Sequence, residues 1–264
     1  MILSPVAVEH CSRFIDGWLP GAMFPSEVAW LLSAVVHSRA EVLIECGRQD
    51  GVSTEMLATF LKDTGTKLIS IDFASDPVCA QRARERVTGL DVELVSGDLH
   101  LEVPRLLQTH RGKHIAILQD AAKGWEGLAT LLASATSSDD VVMIAQHNLH
   151  LGHVTRSLFQ HLAMHPCYIE HTDDAGSLSG LLIEERKTVR ERSPNRPIDH
   201  TSLGVMTVGD AQRAFIRDSF ITLRRVYRTW NPAKVVTAWA KGDYGYVVRL
   251  TKRAPYSLAR FMAR

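Results

Sequence analysis

The chain has 264 residues, 45% of them hydrophobic and 22% charged, which is an ordinary globular composition with material for a sizeable core. No apolar run approaches the ~18 residues of a membrane span, and the start, MILSPVAVEHCSRF, lacks the basic and long apolar regions of a signal peptide. The four cysteines (Cys11, Cys46, Cys79, Cys167) are scattered without a CxxC pair, so reduced thiols, a cytoplasmic setting and no structural zinc are expected.

The formal net charge of +1 conceals an asymmetry. Residues 1–185 hold 13 Lys+Arg and 24 Asp+Glu, a net −11; residues 186–264 hold 17 and 5, a net +12. A split of this size predicts two segments with different tasks.

Residues 5–20 read as a short amphipathic helix ending near Pro20-Gly21, and Pro25-Ser26-Glu27 opens a second helix. Strands and helices then alternate. The expected strands are EVLIEC (41–46), KLISID (67–72), VELVSG (92–97), HIAILQD (114–120), VVMIAQ (141–146), CYIEHT (167–172) and GLLIEER (180–186). Helices fit at 53–63, 76–87, 101–110, 126–136 and 154–165. Most strands are continuous apolar runs, as in a parallel sheet covered on both faces. The pattern predicts an α/β fold, a doubly wound, mostly parallel seven-stranded sheet. Only TDDAGSLS joins the last two strands, too short for a helical crossover, so that pair is expected to be antiparallel.

KTVRERSPNRPIDH (187–200) reads as a basic linker. A helix starting near Asp210 follows, with Arg213, Arg217, Arg224 and Arg228 on one stripe, and then a hairpin turning at Lys241-Gly242-Asp243. The expected organisation is an N-terminal helical segment (1–24), a ligand-binding sheet domain (25–187) and a basic extension (188–264).

The first strand runs into Gly47-Arg-Gln-Asp-Gly51 and then Ser53 at the head of a helix. Doubly wound sheets bind nucleotides at such a junction. The second glycine of the G-x-G-x-x-G dinucleotide pattern is replaced by Gln49, which disfavours a pyrophosphate. Four strand ends carry acids: Glu45, Asp72, Asp98 (beside Gly97) and Asp120. Asp72 is placed for ribose hydroxyls and Gly97-Asp98 for an adenine edge. This array suits a nucleoside with a cationic centre, such as S-adenosyl-L-methionine.

From about Pro25 to Lys187 the chain resembles the class I S-adenosylmethionine-dependent methyltransferases, and within them the catechol and caffeoyl-CoA type O-methyltransferases. That group's E-x-G-x-x-x-G-x-S is matched by Glu45, Gly47, Gly51 and Ser53, and its acid after the second strand by Asp72. Its D-A-D-K falls on Asp120-Ala121-Ala122-Lys123, and its D-N-V-L-x-x-G-x-V on His147 to Val154. The resemblance implies a Rossmann-like methyltransferase fold and a cofactor site of Glu45, Gly47, Gly51, Ser53, Asp72, Gly97, Asp98 and Asp120. It also implies Lys123 as proton acceptor.

Two positions depart from the group. Ala122 replaces the second acid of D-A-D-K, and His147 replaces the metal-binding Asp of D-N. The implied metal set becomes Asp120, His147 and Asn148. An all-oxygen set suits Mg²⁺, and an imidazole moves the preference towards Mn²⁺ or another transition ion. Otherwise the metal is lost and His147 serves as a general base. His150 and His153 have no ligand-type spacing with His147, and Trp125 suits either adenine stacking or cover for the sheet.

The expected activity is methyl transfer to a hydroxyl on a small-molecule or sugar-like acceptor. The alternatives are a metal-independent O- or N-methyltransferase using His147, and a non-catalytic module of this fold that binds a partner. The basic extension suits a lid over an anionic acceptor or a homodimer contact. Nucleic acid is disfavoured because no aromatic-basic motif is present.

Overall fold

A computed structural model describes residues 3–122, 125–149, 153–163, 167–168, 178–194 and 203–226. Helix α1 (Pro5–Ser12) and a 3₁₀ turn at Ile15–Gly17 lead to α2 (Pro25–His37). Then come β1 (Val42–Cys46), α3 (Val52–Leu61), β2 (Lys67–Asp72), α4 (Pro77–Arg86), β3 (Val92–Ser96), α5 (Leu99–Thr109) and β4 (Ile115–Gln119). The chain continues through α6 (Trp125–Ser137), β5 (Val141–Gln146), α7 (His153–Leu162), β6 (Cys167–Tyr168), α8 (Ser179–Arg192), β7 (Gly204–Thr207) and α9 (Asp210–Val226).

The seven strands form one sheet in the order β3-β2-β1-β4-β5-β7-β6. The pairs from β3 through β5 are parallel, and β7 is antiparallel to both β5 and β6. The doubly wound, Rossmann-like arrangement expected from the sequence is therefore present. Its strand order reverses between β1 and β4, so their carboxyl ends diverge and leave a crevice there.

Alternation along the strands builds two cores. Val42, Ile44 and Cys46 of β1, with Ile69, Ile71, Ile115 and Ile117, face α5, α6, α7 and α9. Leu43, Leu68, Ala116, Leu118, Met143 and Ala145 face α1, α2, α3 and α8. The period of two assigns successive residues to opposite faces, and both faces are covered, so β1 and β4 are buried at every residue. Among the described residues no helix is long and apolar enough to cross a membrane.

Three expectations are corrected. GLLIEER (180–186) is not the last strand but part of α8. Its apolar run Leu181-Leu182-Ile183 imitates a strand. Yet Ile183 is 63% exposed, while Leu181, Glu185, Thr188 and Val189 are buried at helical spacing. The strand that enters the sheet is Gly204–Thr207, where Gly204 admits Leu149 and Phe159, whose side chains would lie 2.5 Å and 2.9 Å from an added Cβ. Consequently the sheet domain does not close at residue 187, since β7 completes the sheet and α9 packs on α6 and α7. The N-terminal segment is likewise integral, with Ala7, Cys11 and Ile15 in the α2-side core.

Arg213, on the arginine stripe, is 3% exposed. Its guanidinium donates to the carbonyls of Ala135, Ser138, Asp139 and Val141, satisfying the carboxyl end of α6, where a cation is favoured. Arg217 is exposed and donates to Thr136 O, whereas Arg228 and the expected hairpin lie outside the described residues.

Candidate active site

The glycine turn follows β1 at the centre of the sheet. Gly47 N–H donates to Ile71 O of β2 at 2.8 Å, and Asp120 N–H donates to Cys46 O at 2.8 Å. The turn is thereby stitched to both neighbouring strand ends. Gly47 has φ +95° and Gly51, the N-cap of α3, has φ +80°. A Cβ on Gly47 would lie 2.7 Å from the Ala121 nitrogen, and one on Gly51 would lie 2.8 Å from Ala83 Cα in α4. Sequence reasoning expected a ligand to require these glycines. The fold itself already requires both, because each is pressed against another backbone.

Asp72 holds the turn from below. Its Oδ2 accepts from Arg48 N–H (3.0 Å) and Gln49 N–H (3.1 Å), and its Oδ1 accepts from Ala74 N–H (2.7 Å). Partial burial pushes the carboxyl pKa up, but the three backbone donors outweigh it, and the net shift is downward. Asp72 is thus an anion at neutral pH, fixed beside the turn. Arg48 sends its guanidinium away from the turn, donating to Ser70 O (2.6 Å) and Val95 O (3.0 Å). It bridges β2 to β3 and sits near Asp72 and Glu45.

A cavity of about 290 Å³ opens at this switch point. Its floor is the turn from Gly47 to Asp50 with Val52 and Ser53 at the head of α3, where orphan backbone donors make a favourable place for negative or polar groups. Asp72 and Phe73 form one side, Asp120 and Ala121 another, and Leu19 to Ala22 close it from above. Phe73 is 71% exposed, a large apolar face offered at the rim. Asp50, Asp72 and Asp120 line the space with Arg48; Asp50 pairs with Arg82 (3.3 Å) and the Arg48 guanidinium is tied to Ser70 O and Val95 O, so Asp72 and Asp120 are the acids offered to a cationic ligand.

Not every expected cofactor residue reaches this cavity. Glu45 is fully buried beneath the turn, its Oε2 accepting from Thr54 Oγ1 (2.7 Å) and Ser70 Oγ (2.6 Å). Its Oε1 has no hydrogen-bond partner, and burial, against those two hydroxyls, pushes its pKa up to about 7. It ties β1 to α3 and β2. Asp98 is the N-cap of α5, accepting from His100 N–H (2.9 Å), and neither it nor Gly97 lines the cavity. Lys123 and His150 lie outside the described residues, as do the side chains of Trp125 and His153.

The β4 and β5 ends converge on an ionic cluster. Gln119 Oε1 accepts from Ala121 N–H (3.0 Å) and Ala122 N–H (3.1 Å), which shapes the loop carrying Asp120. Asp120 Oδ1 contacts His147 Nδ1 at 2.6 Å and accepts from Asn148 Nδ2 at 2.9 Å. On the far side of the ring, His147 Nε2 lies 3.0 Å from Glu27 Oε2 of α2. His147 is 5% exposed and Glu27 is fully buried. Burial alone would lower the imidazole pKa, but the charges of Glu27 and Asp120 and their hydrogen bonds push it up to about 10. Glu27 Oε2 also accepts from Phe24 N–H (3.0 Å), capping α2. Beside it, Glu185 accepts from Ser26 N–H and Ser26 Oγ, both at 2.9 Å. Burial, with repulsion from Glu27 added to it, pushes the Glu185 pKa up to about 8.

In this arrangement His147 presents neither of the two roles expected for it. As a general base it would need a free ring lone pair towards the acceptor, and both nitrogens are engaged by carboxylates. As a metal ligand it would need a nitrogen turned to a shared ion, with Asp120 and Asn148 presenting oxygens. Instead Asp120 Oδ1 lies 2.6 Å from His147 Nδ1 and accepts from Asn148 Nδ2, and that amide nitrogen also lies 2.8 Å from His147 Nδ1. Among the described residues no three His, Cys, Asp or Glu side chains could hold a metal ion. The donor set does not fit a divalent metal.

Sequence reasoning missed Glu27, Glu185 and Phe73. Glu27 immediately precedes the apolar run VAWLLSAVV in the first turn of α2, and an acid buried there requires a polar or cationic partner. That requirement was the available signal. Nothing in the pattern pointed to Phe73.

The chain matches no protein-family profile and no curated protein. Among solved structures it is similar to an SAH-bound methyltransferase from Podospora anserina, at 17% identity over 78% of this chain and 89% of that one, with TM-score 0.44. An O-methyltransferase from Bacillus cereus in complex with SAH gives 15% identity, 79% and 93% coverage and TM-score 0.46. The O-methyltransferase TomG from Streptomyces achromogenes, in complex with SAM, gives 16%, 77% and 90%, and TM-score 0.45. All three identities are below 25% and all three TM-scores below 0.5, so the function rests on the chain's own geometry.

Proposed function

We propose that this protein is an S-adenosyl-L-methionine-dependent methyltransferase acting on a hydroxyl of a small-molecule acceptor. One observation carries the reading: an acid-lined cavity at the switch point, with the Asp72 carboxylate fixed beside a glycine turn and the head of α3. S-adenosylmethionine bears a sulfonium and an ammonium, and both favour such a wall. A ribose hydroxyl would donate to Asp72 Oδ1, which accepts only from Ala74 N–H and retains a lone pair. Phe73 would cover the adenine face.

Catalysis is then largely alignment. The acceptor oxygen attacks the methyl carbon opposite the sulfur as the C–S bond breaks, giving neutral S-adenosylhomocysteine and a methyl ether. One proton leaves the hydroxyl. The enzyme contributes by holding both reactants in line, which is worth several orders of magnitude. Loss of the sulfonium charge also releases the product from the acidic wall. Lys123 remains the candidate for the proton, on the resemblance alone. The +12 segment is the candidate for recognising an anionic acceptor, since the described wall is acidic.

Incubation with methyl-labelled cofactor and a panel of hydroxyl acceptors tests this. Label should enter at least one acceptor and S-adenosylhomocysteine should accumulate. Binding of the cofactor with no transfer to any hydroxyl or amine would favour the non-catalytic module.

A further inference from the structure

Arg48 belongs to the turn that lines the proposed cavity, yet the residue is only 6% exposed. A guanidinium placed there gives up water and must be compensated by the protein. One terminal nitrogen does this, donating to Ser70 O of β2 (2.6 Å) and to Val95 O of β3 (3.0 Å). Burial works against the charge, as does Arg84 of α4, while Asp72 and Glu45 support it. Glu45 in turn accepts from Ser70 Oγ (2.6 Å), so Ser70 is tied to both ionic groups.

An apolar side chain could fill this space without the desolvation cost, so packing alone gives no reason for an arginine. The reason lies at its backbone. Arg48 N–H and Gln49 N–H both donate to Asp72 Oδ2, at 3.0 Å and 3.1 Å, and Ala74 N–H donates to Oδ1 at 2.7 Å. A carboxylate has about four acceptor positions, so these donors leave one, on Oδ1. Gln49 has φ +47°, a strained value for a residue other than glycine. The turn therefore needs a hold beyond its own backbone to keep two N–H groups on one oxygen. Arg48 supplies it. Its N–H grips the acid, while its guanidinium grips β2, the strand that carries the acid, and β3 beside it.

We infer that Arg48 is a positioning residue of the cofactor site: by clamping the ends of β2 and β3 to the glycine turn, it fixes Asp72 with one acceptor position open for a ribose hydroxyl. The ribose part of this rests on the methyltransferase reading, whereas the hold on Asp72 does not.

Calorimetric titration with S-adenosylhomocysteine of the full chain, Arg48→Met, Asp72→Ala and the double variant tests this. Arg48→Met should weaken binding roughly tenfold. The same substitution made in Asp72→Ala should cost less than about twofold, because the acid it positions is gone. A role in stability alone would weaken both backgrounds equally. Equal losses, or a folded Arg48→Met that binds as the wild type does, overturn the inference. If Arg48→Met fails to fold, Arg48→Lys takes its place in the same cycle. It keeps the charge but lacks the planar fork, and it should lose roughly three- to tenfold. Absence of binding by the wild type removes the cofactor reading, and the hold on Asp72 is then read from the carbon-13 titration of its carboxyl. The midpoint should move up in the folded Arg48 variant, and an unmoved midpoint overturns the inference.

Discussion

The two halves of the sheet's carboxyl rim differ in kind. On the β1–β2 side the chain keeps the residues of the pattern it resembles, and Gly47, Ser53 and Asp72 line an open cavity while Gly51 packs on α4. On the β4–β5 side the pattern is broken at Ala122 and His147, and the ends close upon themselves as Asp120–His147–Glu27. The first half leaves its fixed carboxylate open to the cavity. The second turns its polar groups on one another. The contrast shows that one sheet rim can keep an open half while the adjoining half is rebuilt from a single substituted strand end and a helix.

The most severe way to break the first half is Gly47→Ala. The position has φ +95° and a Cβ there would lie 2.7 Å from a backbone nitrogen, so turn and β4 loop must separate. Thermal melts should show a loss of about 2–4 kcal/mol, and calorimetry should show cofactor binding abolished.

The second half is sharpened by Glu185→Gln. The Glu185 pKa rises from 4.5 when unfolded to about 8 when folded. Between these values the folded chain keeps a proton that the unfolded chain has released, so this residue's contribution to stability is complete below pH 4.5 and is lost as pH rises towards 8. Denaturant titrations should find the variant gaining on the wild type across that window, by on the order of a few kcal/mol at its upper end. Parallel pH profiles for the two proteins would contradict the assignment.

Phe73→Ala is milder. Loss of an exposed aromatic rim should weaken S-adenosylhomocysteine binding by roughly three- to tenfold with no change in melting temperature. Smallest of all is Asp98→Asn. Asparagine caps α5 as well as aspartate does, so both stability and cofactor affinity should stay within experimental error. A clear fall in affinity would restore the adenine contact expected from the sequence.

The parallel strands were legible because each is an apolar run bounded by a turn or cap, and the glycine turn was legible because its spacing is unusual. The far edge was not. Leu181-Leu182-Ile183 has the composition of a strand and the burial of a helix, and only the exposure of Ile183 tells them apart. GVMT (204–207) is too short to announce itself beside a basic linker. At the site, local pattern placed Asp72 and Asp120 at the cavity, but it could not place Glu27, which lies 120 residues from His147 in sequence. Nor could it reveal that Glu45, an acid at a strand end like Asp72, is sealed beneath the turn by Thr54 and Ser70. Strand-end position fixes the height of a side chain on the sheet, not the face it occupies.

Calorimetric titration of the full chain with S-adenosylhomocysteine, in the presence of chelator and alongside Asp72→Ala, tests the central claim most directly. The account predicts saturable binding of one molecule per chain without added metal, weakened roughly ten- to a hundredfold by the substitution. No binding by the wild type, or identical isotherms for both proteins, would contradict it.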